Sequence, residues 1–332
     1  VATPNVQWER TNQYDVGVDF SILNQKLNVT IDWFLKDTKN LLNKKRIPDY
    51  NGGNTFWVNQ GQVRNTGLEL LVNAVPVKAG DFLWETTLTA TYLKNEVIDL
   101  AGEKEILGDR ISGIVEQSSI LKPGYPIGSF LVFDWVGIDE KTGTNLYRKV
   151  DGSITNDPTS DDRIVTGQAD PKWSFGWNNS FSWKNIEINA FFNAAVGYQR
   201  LDVTRWQTAS IVGASMFITL RDAYYKGWDM VPNKADAEFP SAKSSDNKYY
   251  GNSTQFLENA SFLKLKNLSI GYHFPKQWLK FADMRVVLSA QNIFTLTKYK
   301  GYDPEVYNQL NGADWGAYPV PRTYTLGLKF DF

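Results

Sequence analysis

The sequence has no cysteine and a single histidine, His273, which removes disulfide frameworks, thiolate metal centres, cysteine nucleophiles and histidine-rich zinc sites. It has no excess of either charge: 35 Lys and Arg stand against 36 Asp and Glu, a formal net charge of −1. Without a basic run able to track phosphates, nucleic acid is not an expected partner. Nor does any apolar run approach the roughly 18 residues that a spanning helix needs, so a helical membrane protein is excluded. No basic n-region followed by an apolar h-region opens the chain, the pattern expected of a mature protein or of a C-terminal piece. What it holds in quantity is aromatic: 19 Phe, 16 Tyr and 12 Trp make up 14% of 332 residues, yet the mean hydropathy is only −0.37. Membrane β-barrels combine these properties, because a spanning strand shows lipid only every second side chain while aromatics gather at the two interfaces. The length suits two globular domains or one long all-β unit.

Periodicity favours the second. Tyr324, Leu326, Leu328, Phe330 and Phe332 alternate with Thr323, Thr325, Gly327, Lys329 and Asp331, a strand period of two. Tyr14, Val16, Val18, Phe20 and Ile22 alternate with Asp15, Gly17, Asp19 and Ser21, and Leu27, Val29, Ile31 and Trp33 with Asn28, Thr30 and Asp32. Further strands read as 68–75, 82–92, 173–183, 186–196, 268–274 and 284–294, making about nine near the length of a tilted spanning strand. Asn24-Gln25, Pro76 to Asp81, Lys184-Asn185 and Pro275 to Asp283 make short connections. Residues 36–65, 94–171, 197–261 and 295–321 make long ones, and all of these fall at one end. That is the polarity of a bacterial outer-membrane barrel with its long loops outside. A soluble β-sandwich would alternate too, but would not sort its loops this way. Trp33, Tyr92, Trp173, Trp183 and Tyr272 stand near strand ends, where an interfacial belt places amphipathic rings. The polar residues Asp15, Asp19, Asn28, Thr30, Asp32, Glu85, Thr87 and Thr89 should face inward, since lipid would not solvate them.

Several blocks carry a resemblance. They are Trp8-Glu9-Arg10-Thr11 with Gly17; Asp32-Trp33-Phe34; Asn59, Gly61, Val63, Asn65, Gly67 and Glu69; Gly124, Pro126, Gly128 and Phe130; and Pro171, Trp173 and Gly176. The most specific are Phe256-Leu257, Asn259-Ala260, Phe262-Leu263, Leu265, Leu268, Gly271-Tyr272 and Pro275, then Gln291-Asn292, Phe294, Tyr299, Gly301, Asp303-Pro304-Glu305, Tyr318-Pro319, Arg322 and Phe332. In this order they resemble the C-terminal barrel portion of the SusC/RagA type of TonB-dependent outer-membrane transporters. The resemblance implies that residues 1–332 are the C-terminal part of a plugged barrel of about 22 strands, the plug domain and N-terminal strands lying outside this chain. It further implies import of a large nutrient, an oligosaccharide or a peptide, energised by TonB through a segment that this chain lacks. A SusD-like surface lipoprotein would close over the mouth, and no cofactor is implied. Phe330 and Phe332 resemble the terminal signal that hands outer-membrane barrels to their assembly machinery, a strand edge read by strand addition. A non-transporting scaffold of the same shape is the alternative. A soluble carbohydrate-binding protein and an enzyme stand further off.

For ligand or lid contact, the outward-loop aromatics Trp206, Tyr224, Tyr225, Trp228, Tyr249, Tyr250 and Trp315 are the candidates, because rings stack on apolar sugar faces and also anchor protein interfaces. Asp139, Asp151 and Asp157, with Glu140, Asp161 and Asp162 nearby, are oxygen ligands of the kind calcium takes, although their spacing is not an EF-hand. His273 should sit near the short-turn rim, with no Ser or Asp constellation around it to suggest catalysis.

Overall fold

The computed structural model describes residues 6–46, 55–108, 110–111, 117–209, 220–242, 250–279, 282–305 and 312–331. Its centre is one nine-stranded antiparallel sheet: β1 (Arg10–Ile22), β2 (Leu27–Lys39), β3 (Gln62–Ala79), β4 (Phe82–Asp99), β5 (Trp173–Trp183), β6 (Ile186–Val196), β7 (Phe262–Phe274), β8 (Asp283–Thr297) and β9 (Thr323–Asp331). Each strand pairs with the next in chain order, so the expected nine strands form a meander with β1 and β9 at its two edges. Four short connections lie at one end and the four long ones at the other. No helix among the described residues is long and apolar enough to cross a membrane.

The two faces follow from register. Leu326, Leu288, Ile270, Ile188, Phe181 and Trp84 are successive ladder partners and form one outward row. One residue along, Thr325, Ser289, Ser269, Asn189, Ser180 and Glu85 form the inward row. Tyr324, Leu326 and Leu328 are 68%, 67% and 59% exposed, so the apolar face is not turned onto a protein core. A β-sandwich would bury this face against a second sheet, and that reading is excluded. The largest buried cluster lies instead in the long loops, around Phe130, Val132, Leu201, Val203, Phe256 and Ala313.

Two connections differ from expectation. The strand expected to stop at Val75 continues to Ala79, leaving Gly80 and Asp81 as the turn. The ladder shifts register between Ala74 and Val77, and such a bulge accepts Pro76 because it asks no ladder hydrogen bond of that nitrogen. Between β1 and β2 the turn takes four residues rather than two. Leu23, Asn24 and Gln25 all adopt left-handed φ near 55–65°, and Asn28 Nδ2 donates to the Gln25 carbonyl at 3.0 Å. The strands also run further into the long-loop end than their alternation indicates, to 18 residues each in β3 and β4. There, polar cross-strand pairs replace alternation: Asn95 Nδ2 donates to Asn65 Oδ1 at 2.6 Å, and Gln62 Nε2 to Asp37 at 2.8 Å.

Candidate functional site

The inward face of the sheet is a hydrogen-bonded polar wall. Register places Asp15, Asp19, Asn28, Thr30, Asp32, Glu85, Thr87 and Thr89 on it together, as their alternation requires. Thr30 Oγ1 donates to Asp19 Oδ1 at 2.5 Å and Thr87 Oγ1 to Asn73 Oδ1 at 2.8 Å. Two glycines make room for larger neighbours on this wall. Gly67 is the ladder partner of Phe34 and Gly17 that of Asp32, and a Cβ at either glycine would collide with that partner's side chain. At the short-turn rim, His273 Nε2 lies 3.2 Å from Glu187, whose other oxygen accepts from Arg285 Nη2. His273 thus joins Glu187 and Arg285 in a hydrogen-bonded group at the rim, on the side where sequence position put it.

At the opposite end the long loops fold onto the wall. Lys264 of β7, whose side chain is 2% exposed, donates from Nζ to Asp303 at 2.6 Å and to Glu305 at 2.8 Å. Lys266 reaches the same Glu305 at 2.7 Å. Burial pushes the Glu305 carboxyl up, but the hydrogen bonds from Lys264 and Lys266 outweigh it and hold the group below the usual carboxylate range. These contacts tie the Asp303-Pro304-Glu305 motif to the strand that carries the other specific block.

Above them, a three-stranded sheet stitches two loops together. Gln199–Asp202 pairs antiparallel with Leu257–Asn259 and parallel with Ala313–Asp314. Asp202 and Asp314 are direct ladder partners and each is 1% exposed. Asp314 is fully engaged, accepting from Tyr299 Oη at 2.8 Å and from the Ala317 N–H at 3.1 Å. Asp202 Oδ1 accepts from the Arg205 N–H at 2.8 Å, whereas its Oδ2 is buried with no hydrogen-bond partner among the described residues. Glu258 accepts from Arg205 Nη1 at 2.6 Å and from the Lys300 N–H at 2.8 Å. Burial, joined by the neighbouring charges of Glu258 and Asp314, raises the Asp202 carboxyl to about 7 despite the Arg205 N–H. Burial also pushes the Tyr299 hydroxyl up, with Asp202 and Asp314 adding to it. Asp202 lines a cavity of about 300 Å³ with Thr204, Arg205, Arg221 and Tyr302. Two short helices border this cavity, α1 (Val203–Ala209) and α2 (Arg221–Tyr225).

The candidate aromatics fall into different settings. Trp206 and Trp315 pack on the loop core, and Tyr250 stacks on Phe133 with ring centres 4.2 Å apart. Trp228 is half-buried, donating from Nε1 to the Glu140 carbonyl at 3.1 Å beneath the Lys234 ammonium. Tyr224 and Tyr225 are the exposed pair, in edge-to-face contact. Tyr249 lies outside the described residues, as does Phe332; Phe330 stands on the outward face opposite Met284. Asp139 and Asp151 each cap their own turn, Asp139 accepting from the Lys141 and Thr142 N–H groups and Asp151 from Ser153. Among the described residues no group of three or more His, Asp or Glu side chains is placed to hold a metal, with Asp157 included. The clusters centred on Lys264 and Asp202 were not singled out as sites from sequence. The signal for the first was two lysines inside the alternation Phe262-Leu263-Lys264-Leu265-Lys266; the second has no periodic signature.

A chain with this wall and these loops is similar along nearly its whole length to known receptors. It is 28% identical over 360 residues to the TonB-dependent receptor P3 of Formosa agariphila, covering 100% of this chain and 35% of that protein. It is 29% identical over 359 residues to the TonB-dependent receptor SusC of Bacteroides thetaiotaomicron, covering 99% of this chain and 32% of that one. Among solved structures, the RagAB peptide importer in its closed-closed state superposes with a TM-score of 0.86 at 26% identity, over 99% of this chain and 36% of the other. The chain therefore spans about a third of the length of these relatives. The family model described as the TonB-dependent receptor-like β-barrel matches residues 1–293. An open sheet with an apolar outward face, a polar inward face and one-sided loops is what a section of such a barrel wall must be, and the chain belongs to the TonB-dependent receptor β-barrel family of the bacterial outer membrane.

Proposed function

We propose that this chain forms wall and outer loops of a TonB-dependent importer, which brings a large nutrient, an oligosaccharide or a peptide, across the outer membrane beneath a SusD-like surface lipoprotein. The observation that carries the reading is the sorting of chemistry by direction: apolar side chains outward, hydroxyls, amides and carboxylates inward, and every long loop at one end. A polar wall solvates a hydrophilic solute in transit, and outward loops supply the surface that a lid protein needs. The likeness to RagAB, a peptide importer, and to SusC supports both the import and the paired lid. Sheet edges β1 and β9 must be hydrogen-bonded within lipid, and further strands of the parent polypeptide would supply that pairing. TonB would supply energy through a segment of that polypeptide, and the barrel-assembly machinery would insert it.

The test is a strain lacking the full-length transporter, grown on defined glycans or peptides as sole nutrient, alongside purification of the intact protein in mild detergent. Loss of growth on one nutrient class, restored by the gene but not by a copy without its TonB-contacting segment, together with co-purification of a surface lipoprotein, is the expected result. Unchanged growth on every nutrient and consistent isolation of the barrel alone would overturn it.

A further inference from the structure

We infer that Asp202 is a proton-binding site through which the pH outside the cell sets how firmly the two long outward loops, residues 197–261 and 298–322, are held to each other. The inference uses the outward position of the loops but not the identity of the nutrient. The two loops meet in the small sheet whose strands carry Asp202 in one loop and Asp314 in the other, as direct ladder partners. Parallel pairing brings the two carboxyls side by side, and both are withdrawn from water. Their surroundings treat them unequally. Asp314 has a donor for each oxygen, the Tyr299 hydroxyl and the Ala317 N–H. Asp202 has one N–H for two oxygens, and its Oδ2 has no donor among the described residues.

Charge around the site is equally one-sided. From its own segment Asp202 faces Arg205 and, two residues back along the strand, the buried Arg200, from the neighbouring strand Glu258, from the other loop Asp314, Tyr299 and Lys300, and across the cavity Arg221 and Asp222. The Arg205 guanidinium is committed to Glu258. Lys300 meets Glu258 through its backbone N–H, and Arg221 lies over the Tyr225 ring. The inner group is therefore three carboxyls and two guanidiniums, Arg205 bound to Glu258 and Arg200, the ladder partner of Glu258, donating from Nη1 to the Ala169 carbonyl. The least costly way to relieve the crowding of carboxyls is to place a proton on the one with the poorest hydrogen bonding. The cavity is the route by which solvent supplies that proton. The direction and size of the Asp202 shift agree with this. Protonated, Asp202 is a neutral neighbour for Asp314 and the small sheet is secure. Ionised, it places a second unneutralised negative charge on the seam between the loops, and the seam opens.

The experiment uses the full-length transporter in detergent, with a spin label on each loop at the exposed positions Tyr224 and Tyr318, each replaced by cysteine. Pulsed dipolar spectroscopy then reads the distance between the loops from about pH 5.5 to about pH 8.5, either side of a carboxyl with a shifted titration. A narrow distribution in acid, broadening with a midpoint near 7, is the expected result. Asp202→Asn should hold the narrow distribution throughout, Asp314→Asn should move the midpoint to lower pH, and Asp222→Asn at the cavity mouth should leave it unchanged. A wild-type distribution indifferent to pH, or an Asp202→Asn protein that broadens like wild type, overturns the proposal. Should Asp202→Asn fail to assemble, infrared difference spectra of the wild type decide the matter. A protonated-carboxyl C=O band present at acid pH and lost near 7 supports the site, and its absence refutes it.

Discussion

At the scale of single residues, one amide lies deep among the apolar side chains of the outward face. Asn179 sits in the outward row of β5 between Trp177 and Phe181, yet it is 3% exposed. Its Oδ1 accepts from Trp84 Nε1 at 3.1 Å and Thr86 Oγ1 at 3.0 Å, and Trp177 Nε1 donates to the same Thr86 hydroxyl at 2.9 Å. Four polar groups are thus closed on themselves under two indole rings, the only economical arrangement where lipid offers no hydrogen bonds. Asn179→Ala strands the Trp84 and Thr86 donors and should cost about 1 to 3 kcal/mol in a refolding titration of the full-length barrel, while the isosteric Asn179→Asp should be worse still. The face assignment of β9 has its own test. Leu326→Arg should cost about 2 to 4 kcal/mol at membrane depth and Thr325→Arg far less. Equal losses in the same titration would mean that the strand does not present alternate faces to lipid and lumen.

At the scale of elements, the nine wall strands were legible because a wall strand is written in a period of two, with lipid and lumen each selecting one residue type. What the alternation could not show was where a strand ends once both its faces are wet, and so β3 and β4 outlast their apolar rows. The loop clusters were illegible for a related reason. Lys264 and Glu305, or Asp202 and Asp314, become partners only through register and loop folding that no local pattern encodes. Lys264 shows the energetic weight of such a contact. Lys264→Ala leaves the buried Asp303 uncompensated and should cost about 3 to 5 kcal/mol, whereas Lys266→Ala, at a wetter pair that keeps Lys264, should cost under about 1 kcal/mol. Thermal melts of the full-length protein distinguish the two. The carboxyls also pull in opposite directions with pH. Glu305 is lowered in the folded chain, so its contribution is present above its unfolded titration and is lost as pH falls through the folded one. Asp202 is raised, so the folded chain binds its proton more tightly than the unfolded chain and this contribution declines as pH rises toward about 7. Hydrogen exchange of the loop amides, corrected for intrinsic rate, should show greatest protection between those two limits.

At the scale of the whole molecule, alternation, loop polarity and ordered motifs pointed to one architecture, and the structure and its relatives agree on it. The substrate was less legible, since a polar wall is written the same way for any hydrophilic cargo and the candidate aromatics divide between packing and exposure. The length of the central hairpin has a consequence of its own. At about 3.3 Å per residue and a tilt of about 40°, strands of 18 residues climb roughly 45 Å, against an apolar band of about 25 Å. The β3–β4 hairpin therefore runs roughly 20 Å beyond the apolar band, a length comparable to the headgroup layers, by this reckoning. The loops are anchored to that upper length: the Val97 N–H donates to the Tyr125 carbonyl at 2.9 Å and the Gly124 N–H to the Val97 carbonyl at 2.8 Å. The polar upper length of the hairpin thus gives the long loops a stiff footing outside the apolar band, while the rim where His273, Glu187 and Arg285 stand lies at the other end of the same wall.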